Sequence, residues 1–228
     1  MPVLPGSPPV EVTLKRTARA RRMSLRVSRL DGRVTLSLPT RARESEAMAF
    51  LHAQEEWIRK ALSNVVANGA VALGDEIPIE GRMVRLQAGP GRALTLTPDA
   101  LLVPGDAART GVRVAAFLKT RARDRLAAAS DHYAGRIGRR YTTLTLRDTR
   151  SRWGSCTADA GLMYSWRLIM APPLVLDYVA AHEVAHLAEM NHSARFWAIV
   201  ADLMPDYQTH RRWLKSQGHA LHSFRFSQ

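Results

Sequence analysis

The residues best placed to do chemistry are two histidines and a glutamate in one short segment. His182, Glu183 and His186 form a His-Glu-x-x-His pattern, and the apolar residues around it predict a helix from Pro172 to about Met190. Residues four apart lie on the same helix face, so both imidazoles can reach one metal ion. Glu183 is rotated by about 100° from His182, which places its carboxylate within reach of a metal-bound water. The pattern therefore predicts a zinc ion beside a general base.

A catalytic zinc needs a third protein ligand and one open coordination position. His192 is the leading candidate because it follows His186 by six residues, just beyond Asn191, where we expect a left-handed residue to turn the chain. Glu189 follows His186 too closely on the same predicted helix to complete the set. Weaker candidates remain in the C-terminal segment, namely His210, His219 and His222.

The composition is that of an ordinary globular protein. The chain has 228 residues, of which 46% are apolar and 23% are charged. No apolar run approaches the roughly 20 residues that a membrane-spanning helix needs, and the N-terminal segment lacks the pattern of a signal peptide. Cys156 is the single cysteine, so no internal disulfide can form. We expect a soluble, cytoplasmic protein without a membrane partner.

Positive charge is concentrated in one stretch, while the whole chain carries a net charge of +13. The segment from Lys15 to Arg43 holds ten basic residues and one acid, Asp31. Such a strip attracts phosphate backbones, so nucleic acid is a candidate partner. The alternative is that these cations simply keep one face of a sheet in solvent. The candidate nucleic-acid-binding residues are Lys15, Arg16, Arg19, Arg21 and Arg22.

Hydrophobic periodicity predicts a mixture of strands and helices. Alternation on both sides of Asp31-Gly32 predicts a β-hairpin, and the spacing that follows predicts a helix over 43–62 with Trp57 on its inner face. Further strands are predicted over 83–87, 94–97, 101–103, 142–146 and 161–169. Further helices are predicted over 109–137, 193–204 and 207–216.

Several C-terminal segments together resemble a known family. They are Arg152-Trp153-Gly154-Ser155-Cys156, Trp166-Arg167-Leu168, Tyr178-Val179, the segment from His182 to Leu187, and the segment from Asn191 to Trp197. Over about residues 20–217 the chain resembles the YgjP-like zinc metallopeptidase family, and more distantly the SprT-like proteases associated with DNA–protein crosslink repair.

The resemblance implies a zincin-type catalytic core that binds one Zn2+. It implies His182, His186 and His192 as the zinc ligands and Glu183 as the catalytic glutamate. The histidine spacing also matches that of the metzincins, although those enzymes have glycine where this chain has Glu189.

The resulting fold prediction is an α+β protein with a β-rich N-terminal part and a zincin-like helical catalytic part containing a short sheet. We expect a flexible basic lead-in over 1–22, a β-rich part over 23–108 and a metallopeptidase part over 109–228. The alternative is that residues 23–217 form a single YgjP-like domain.

The leading functional hypothesis is a zinc metallopeptidase that hydrolyses peptide bonds with a zinc-activated water and Glu183 as general base. Its substrate would be a protein or peptide, and the strand predicted from Gly161 could pair with that substrate. Candidates for contacting the oxyanion or the substrate are Arg152, Tyr207 and His210. The alternatives are a nucleic-acid-associated, SprT-like protease, a DNA-binding protein that uses the basic strip, and a structural zinc module without turnover.

The segment between the strands predicted over 142–146 and 161–169 has two interpretations. In the simpler one Trp153 packs in the core, Gly154 allows a tight turn, and Cys156 is a small buried apolar residue. In the other, the Cys156 thiolate blocks the zinc ion reversibly, or Arg152 binds a carboxylate of the substrate. The sequence favours the simpler one, because a lone cysteine is most often part of a core.

Overall fold

The computed structural model describes residues 2–28, 32–63 and 70–226. The chain divides into two units, residues 1–69 and 70–228, and each unit has its own apolar core. Both helices and sheets are present, so the chain is an α+β protein, as the sequence predicted. Within the described ranges, no helix is long and apolar enough to cross a membrane.

The first unit consists of a four-stranded sheet and two helices. Its strands are β1 (Val3–Leu4), β2 (Val10–Arg16), β3 (Ser24–Val27) and β4 (Val34–Leu38), and its helices are α1 (Glu44–Ala53) and α2 (Glu55–Ser63). The strand order is β1-β2-β4-β3, with β2 and β4 parallel and the outer pairs antiparallel. The antiparallel pairing of β3 with β4 confirms the predicted hairpin; Asp31, at its predicted turn, lies outside the described residues.

Two predictions for the first unit are wrong. The lead-in over 1–22 contains β1 and β2, and β2 lies in the sheet because its buried Val12 packs in the core while the strand pairs with β4. The Arg59 guanidinium also donates hydrogen bonds to the carbonyls of Pro5 and Pro8 and so fixes the proline-rich start. The helix predicted over 43–62 is interrupted at Gln54, and Trp57 is 49% exposed rather than inward-facing.

The second unit contains two sheets and four helices. Its strands are β5 (Glu76–Ile79), β6 (Arg82–Ala88), β7 (Thr95–Leu96), β8 (Ala100–Val103), β9 (Thr143–Arg147), β10 (Gly154–Cys156) and β11 (Gly161–Ser165). Its helices are α3 (Thr110–Arg136), α4 (Pro173–Ala185), α5 (Ala194–Leu203) and α6 (Tyr207–Gln217). Short 3-10 helices occur at Ala107–Arg109, Trp166–Met170 and Gly218–His222. The long helix α3 packs against α4 across the core of the unit.

The division between the units falls at residues 69 and 70, not at the predicted 108 and 109. The strands β5 to β8 form a sheet in the order β5-β6-β8-β7. Leu86, Leu101 and Val103 from this sheet are buried in the same apolar core as Val114 of α3 and Val179 of α4. Shared burial therefore assigns these strands to the second unit, whereas composition alone grouped them with the N-terminal strands.

A three-stranded sheet leads into α4. Its order is β10-β11-β9, with β11 antiparallel to β10 and parallel to β9. The strand predicted over 161–169 ends at Ser165, since Trp166–Met170 is a 3-10 helix. Because β11 is paired on both sides, it cannot accept a substrate strand as the sequence suggested. The outer strands of this sheet are β9 and β10, and β10 is the one that packs against α4.

Candidate metal centre

Helix α4 holds the first two histidines in a fixed position because most of the helix is buried. Val179, Ala180 and Val184 are among its core residues. His182 lies in its last turn and His186 is its C-cap residue, so the helix ends at 185 rather than near Met190. The ring centroids of these two histidines are 5.1 Å apart.

The third histidine returns to the same point through a turn stabilised by side chains. Asn191 Oδ1 accepts a hydrogen bond from the Ser193 backbone N–H at 3.0 Å, and Ser193 Oγ caps α5 by accepting from the Phe196 N–H. Asn191 does not have the left-handed conformation expected of it. Among the described residues, the non-glycine residues with positive φ are Glu80 and Ala160. A local side-chain hydrogen bond turns the chain instead.

The three imidazoles converge. One ring nitrogen from each of His182, His186 and His192 lies within 4.8 Å of the others, and His182 Nε2 is 3.1 Å from His192 Nε2. The described residues give no further carboxylate or thiol to this group. This arrangement could hold one metal ion through three nitrogens and leave a coordination position open.

An aromatic base supports the three rings. Phe196 is fully buried, and its ring centroid lies 4.4 Å from that of His186, 4.9 Å from that of His182 and 4.8 Å from that of His192. Trp197 stacks on His192 at 5.7 Å. Both aromatic residues come from the first turn of α5, so the Ser193 cap also places the packing beneath the histidines.

Hydrogen bonding selects which nitrogens are free. His186 Nδ1 donates to the Glu189 backbone carbonyl at 3.0 Å, which leaves Nε2 available. This contact gives Glu189 a role that its side chain did not suggest. His182 Nδ1 is buried without a partner among the described residues, while its Nε2 faces His192.

The local environment favours neutral imidazoles and a basic carboxyl group. Burial lowers the pKa of His182 to about 3, with the neighbouring His186 and His192 adding to the shift, and burial also lowers the pKa of His186. Burial raises the pKa of Glu183 to about 8, against the opposing effect of the Arg152 guanidinium. A cation bound nearby would lower the pKa of Glu183, since positive charge favours the carboxylate.

Strand β10 lies against the glutamate. A Cβ atom added at Gly154 would lie 2.5 Å from Glu183 Oε1 and 2.6 Å from its Cγ, so only glycine permits this approach. A cavity of about 240 Å³ separates β10 from the histidines. It is lined by Gly154, Ser155, Cys156, His182, Glu183, His186, Met190 and His192.

The sequence model of the YgjP-like metallopeptidase domain family matches residues 21–217, which is most of the chain. The chain belongs to the YgjP-like metallopeptidase family. No protein with a curated description is significantly similar in sequence. One similar solved structure is the metallopeptidase zymogen of Pyrococcus abyssi abylysin, at 18% identity over 40% of this chain and 95% of that chain, with a TM-score of 0.37. That likeness is too low to support conclusions about this YgjP-like fold.

The remaining predicted site residues lie outside the cavity of this YgjP-like chain. His210 is buried, and its Nε2 forms a hydrogen bond of 3.0 Å with Oδ2 of Asp206, four residues earlier in the chain. The Tyr207 ring stacks between those of Trp197 and Tyr178. His222 packs on Trp153, and neither it nor His219 belongs to the three-histidine group. Arg152 lines a neighbouring cavity.

Cys156 lines the cavity, but its sulfur is not among the converging donor atoms. Burial and the nearby Glu183 charge raise the pKa of its thiol to about 11. Its side chain is partly buried and packs against the apolar core, as the simpler interpretation expected. Gly154 is the functional residue that sequence reasoning missed, because a tight turn was expected where the structure has a close strand-to-helix approach.

The basic strip of the first unit is only partly available to a partner. Lys15, Arg19, Arg21 and Arg22 are exposed. Arg16 is used internally, because its Nη1 donates hydrogen bonds to the backbone carbonyls of Thr40 and Ala42.

Proposed function

We propose that this YgjP-like protein is a zinc-dependent metallopeptidase that hydrolyses peptide bonds in protein substrates. The observation that carries the proposal is the convergence of His182, His186 and His192 beside the buried Glu183. Three histidine ligands with one open position are typical of a catalytic zinc site, whereas closed structural sites are usually four-coordinate and rich in cysteine. The donor set therefore disfavours a structural zinc module.

The residues present fit a zinc ion. Imidazole nitrogens are ligands that zinc accepts readily, and metal binding requires them to be neutral. The lowered pKa values of His182 and His186 meet that requirement at physiological pH. The hydrogen bond from His186 Nδ1 to the Glu189 carbonyl fixes the tautomer that presents Nε2.

Glu183 is proposed as the general base. A bound zinc ion supplies Lewis-acid polarisation of the scissile carbonyl and acidifies a water molecule. The Glu183 carboxylate takes a proton from the attacking water and later gives it to the departing amine nitrogen. Its burial and its contact with the Gly154 backbone hold the carboxylate in one orientation, and a bound cation would counter the burial that raises its pKa.

The edge of β10 is proposed to orient the substrate. β10 borders the cavity and is paired with β11 along its other edge. An extended peptide could add to the free edge as a further strand, with main-chain hydrogen bonds giving affinity that does not depend on sequence. Arg152, Tyr207 and His210 stay candidates for contacting the substrate or the oxyanion, with Arg152 favoured because it is near Glu183.

The test is the Glu183→Gln variant, assayed on an unfolded protein substrate together with its zinc content. We expect the variant to keep one zinc ion per chain and to lose at least about 100-fold in kcat, a typical contribution of general-base catalysis. Glu76→Gln, an exposed residue at the start of β5, is the matched control and should cleave like the parent. Equal cleavage by Glu183→Gln and the parent would rule out this role for Glu183.

A second candidate function is recruitment to nucleic acid, favoured by the exposed cations Lys15, Arg19, Arg21 and Arg22. Several phosphate contacts would make the affinity for DNA fall steeply as salt increases. Replacing Arg19, Arg21 and Arg22 together by glutamine should flatten that dependence. If the protein does not bind DNA at low salt, the basic strip is only a solvated surface. A cytoplasmic location likewise stays a prediction from the sequence.

A further inference from the structure

The three-stranded sheet beside the metal centre has two chemically different faces. Side chains alternate along β9, where Leu144 and Leu146 are partly buried against the core and Thr143, Thr145 and Arg147 are exposed. The strand register places Ser155, Met163 and Thr145 in one row across the sheet. The face opposite the core is therefore polar and rich in hydroxyl groups.

A cavity of about 380 Å³ lies over this polar face, and we refer to it as the threonine groove. Its hydroxyl groups come from Thr143, Thr145, Thr149, Ser151, Ser155 and Thr157. Its two charged lining residues are Arg147 and Arg152. Among the described residues neither arginine forms an ion pair, and no carboxylate lines the groove.

The loop between β9 and β10 is held in place by contacts that do not use the guanidinium groups of Arg147 and Arg152. Asp148 receives two hydrogen bonds from the Arg167 guanidinium, Nε to Oδ1 at 2.6 Å and Nη2 to Oδ2 at 3.0 Å. Arg167 Nη1 also donates to the carbonyls of Leu221 and Phe224. The neighbouring Thr149 Oγ1 donates to the Arg152 carbonyl at 2.8 Å. This anchoring restricts the backbone next to both groove arginines, whose guanidinium groups form no ion pair with a described residue.

The groove is continuous with the proposed active site through β10. Ser155 lines both the threonine groove and the cavity that contains Glu183 and the three histidines. A peptide that pairs with the free edge of β10 has side chains that alternate between the two sheet faces. Every second side chain would then point to the sheet face over which the threonine groove lies.

We infer that the threonine groove is a specificity subsite for acidic side chains of an extended peptide substrate. The inference rests on the proposed peptidase function. Two guanidinium groups supply the charge that a carboxylate needs. The hydroxyl groups of Thr143, Ser151 and Ser155 can donate to its oxygens, whereas those of Thr145, Thr149 and Thr157 already donate to backbone carbonyls. A peptide is favoured over a nucleic acid because Ser155 of the groove also lines the cavity that contains Glu183 and the three histidines.

The inference is tested with fluorogenic peptides in which a single Glu is moved through the positions on both sides of the scissile bond. Each is compared with the matching Gln peptide. We expect kcat/KM to be about 5- to 10-fold higher for Glu at alternate positions, the effect of a charge-assisted contact that is partly solvated. Arg147→Gln should reduce this ratio towards one, and Arg147→Glu should reverse it in favour of a Lys peptide. Arg150→Gln is the control, since Arg150 is exposed and outside the groove, and it should keep the ratio.

The outcomes separate the subsite from the activity on which it depends. If the parent cleaves the peptides without preferring Glu, or if Arg147→Gln keeps the preference, the subsite is wrong while the peptidase function stands. If no peptide or unfolded protein is cleaved by the zinc-loaded parent, the peptidase function falls and the subsite with it. If a short oligonucleotide blocks cleavage in the parent but not in Arg147→Gln, the groove binds nucleic acid and the inference is overturned.

Discussion

Gly154 and Glu183 are in direct contact, with the glycine backbone of β10 against the carboxyl group of α4. A Cβ atom at position 154 would lie 2.5 Å from Oε1, 2.6 Å from Cγ and 2.8 Å from Cδ of Glu183. The glutamate side chain cannot move aside easily, because Glu183 is only 6% exposed. The missing side chain at 154 therefore sets the position of the proposed general base.

Gly154→Ala should reduce activity while the protein stays folded. The added methyl group must displace the Glu183 carboxylate, and we expect kcat/KM to fall about 10-fold or more, the equivalent of 1.4 kcal/mol in the barrier. Steady-state kinetics and thermal unfolding would be measured together. Gly135→Ala in α3 is the control, since nothing lies within 4 Å of a Cβ there and alanine favours a helix. A fully active Gly154→Ala variant would show that the contact does not matter.

Phe196 should contribute to both stability and metal affinity, because it packs against all three histidine rings. Phe196→Ala removes a fully buried ring and should cost about 3–5 kcal/mol in the free energy of unfolding. Zinc affinity, measured by competition with a chromogenic chelator, should also fall.

Leu101→Ala provides the comparison for Phe196. Leu101 is equally buried, but it lies in β8 rather than in α5. The Leu101→Ala variant should be less stable than the parent but should bind zinc with the same affinity. Equal affinities in the two variants would mean that Phe196 supports the fold without positioning the histidines.

Local patterns predicted the part of the site that one helix presents. His182, Glu183 and His186 follow from residue types at helical spacing, and the six-residue step to His192 was enough to select the histidine that joins them. The contact between Gly154 and Glu183 was missed because it joins two elements that are far apart in sequence. Strand β10 has no alternation to detect, and it exists through its pairing with β11.

The first unit shows the same limit. The pairing of β3 with β4 is local and was predicted, whereas β2 pairs in parallel with β4 although β3 lies between them in the sequence. Prolines at positions 2, 5, 8 and 9 suggested an unstructured start, and the hydrogen bonds from Arg59 to that segment are too distant in sequence to foresee. The domain boundary was misplaced because burial in a shared core decides it, and composition does not report such burial.

Acid should destabilise the protein in part through His222. This residue is buried against Trp153, and burial lowers the pKa of its imidazole from 6.5 to about 4, with the nearby Arg167 adding to the shift. As the pH falls below 6.5 the unfolded chain binds a proton that the folded chain does not bind until about pH 4. The contribution of His222 to the free energy of unfolding is therefore complete above pH 6.5. It is lost as the pH falls from 6.5 to about 4, and the loss is at most about 3 kcal/mol.

The His222→Phe variant isolates this effect. It keeps an aromatic ring against Trp153 but cannot titrate, so its unfolding free energy should fall less than that of the parent between pH 6.5 and 4. Both proteins should be measured by urea unfolding in the presence of a chelator, so that His182 and His186 contribute equally to each. Parallel pH profiles would show that His222 does not contribute to acid sensitivity.

The most direct test of the three-histidine zinc site is a zinc titration of the metal-stripped protein, with cleavage of an unfolded protein substrate as the readout. Cleavage should be lost on stripping, should return as Zn2+ is added, and should level off at one ion per chain, while His192→Ala should need far more zinc to recover any activity. Cleavage that persists in the stripped protein, or an identical titration curve for His192→Ala, would contradict the account.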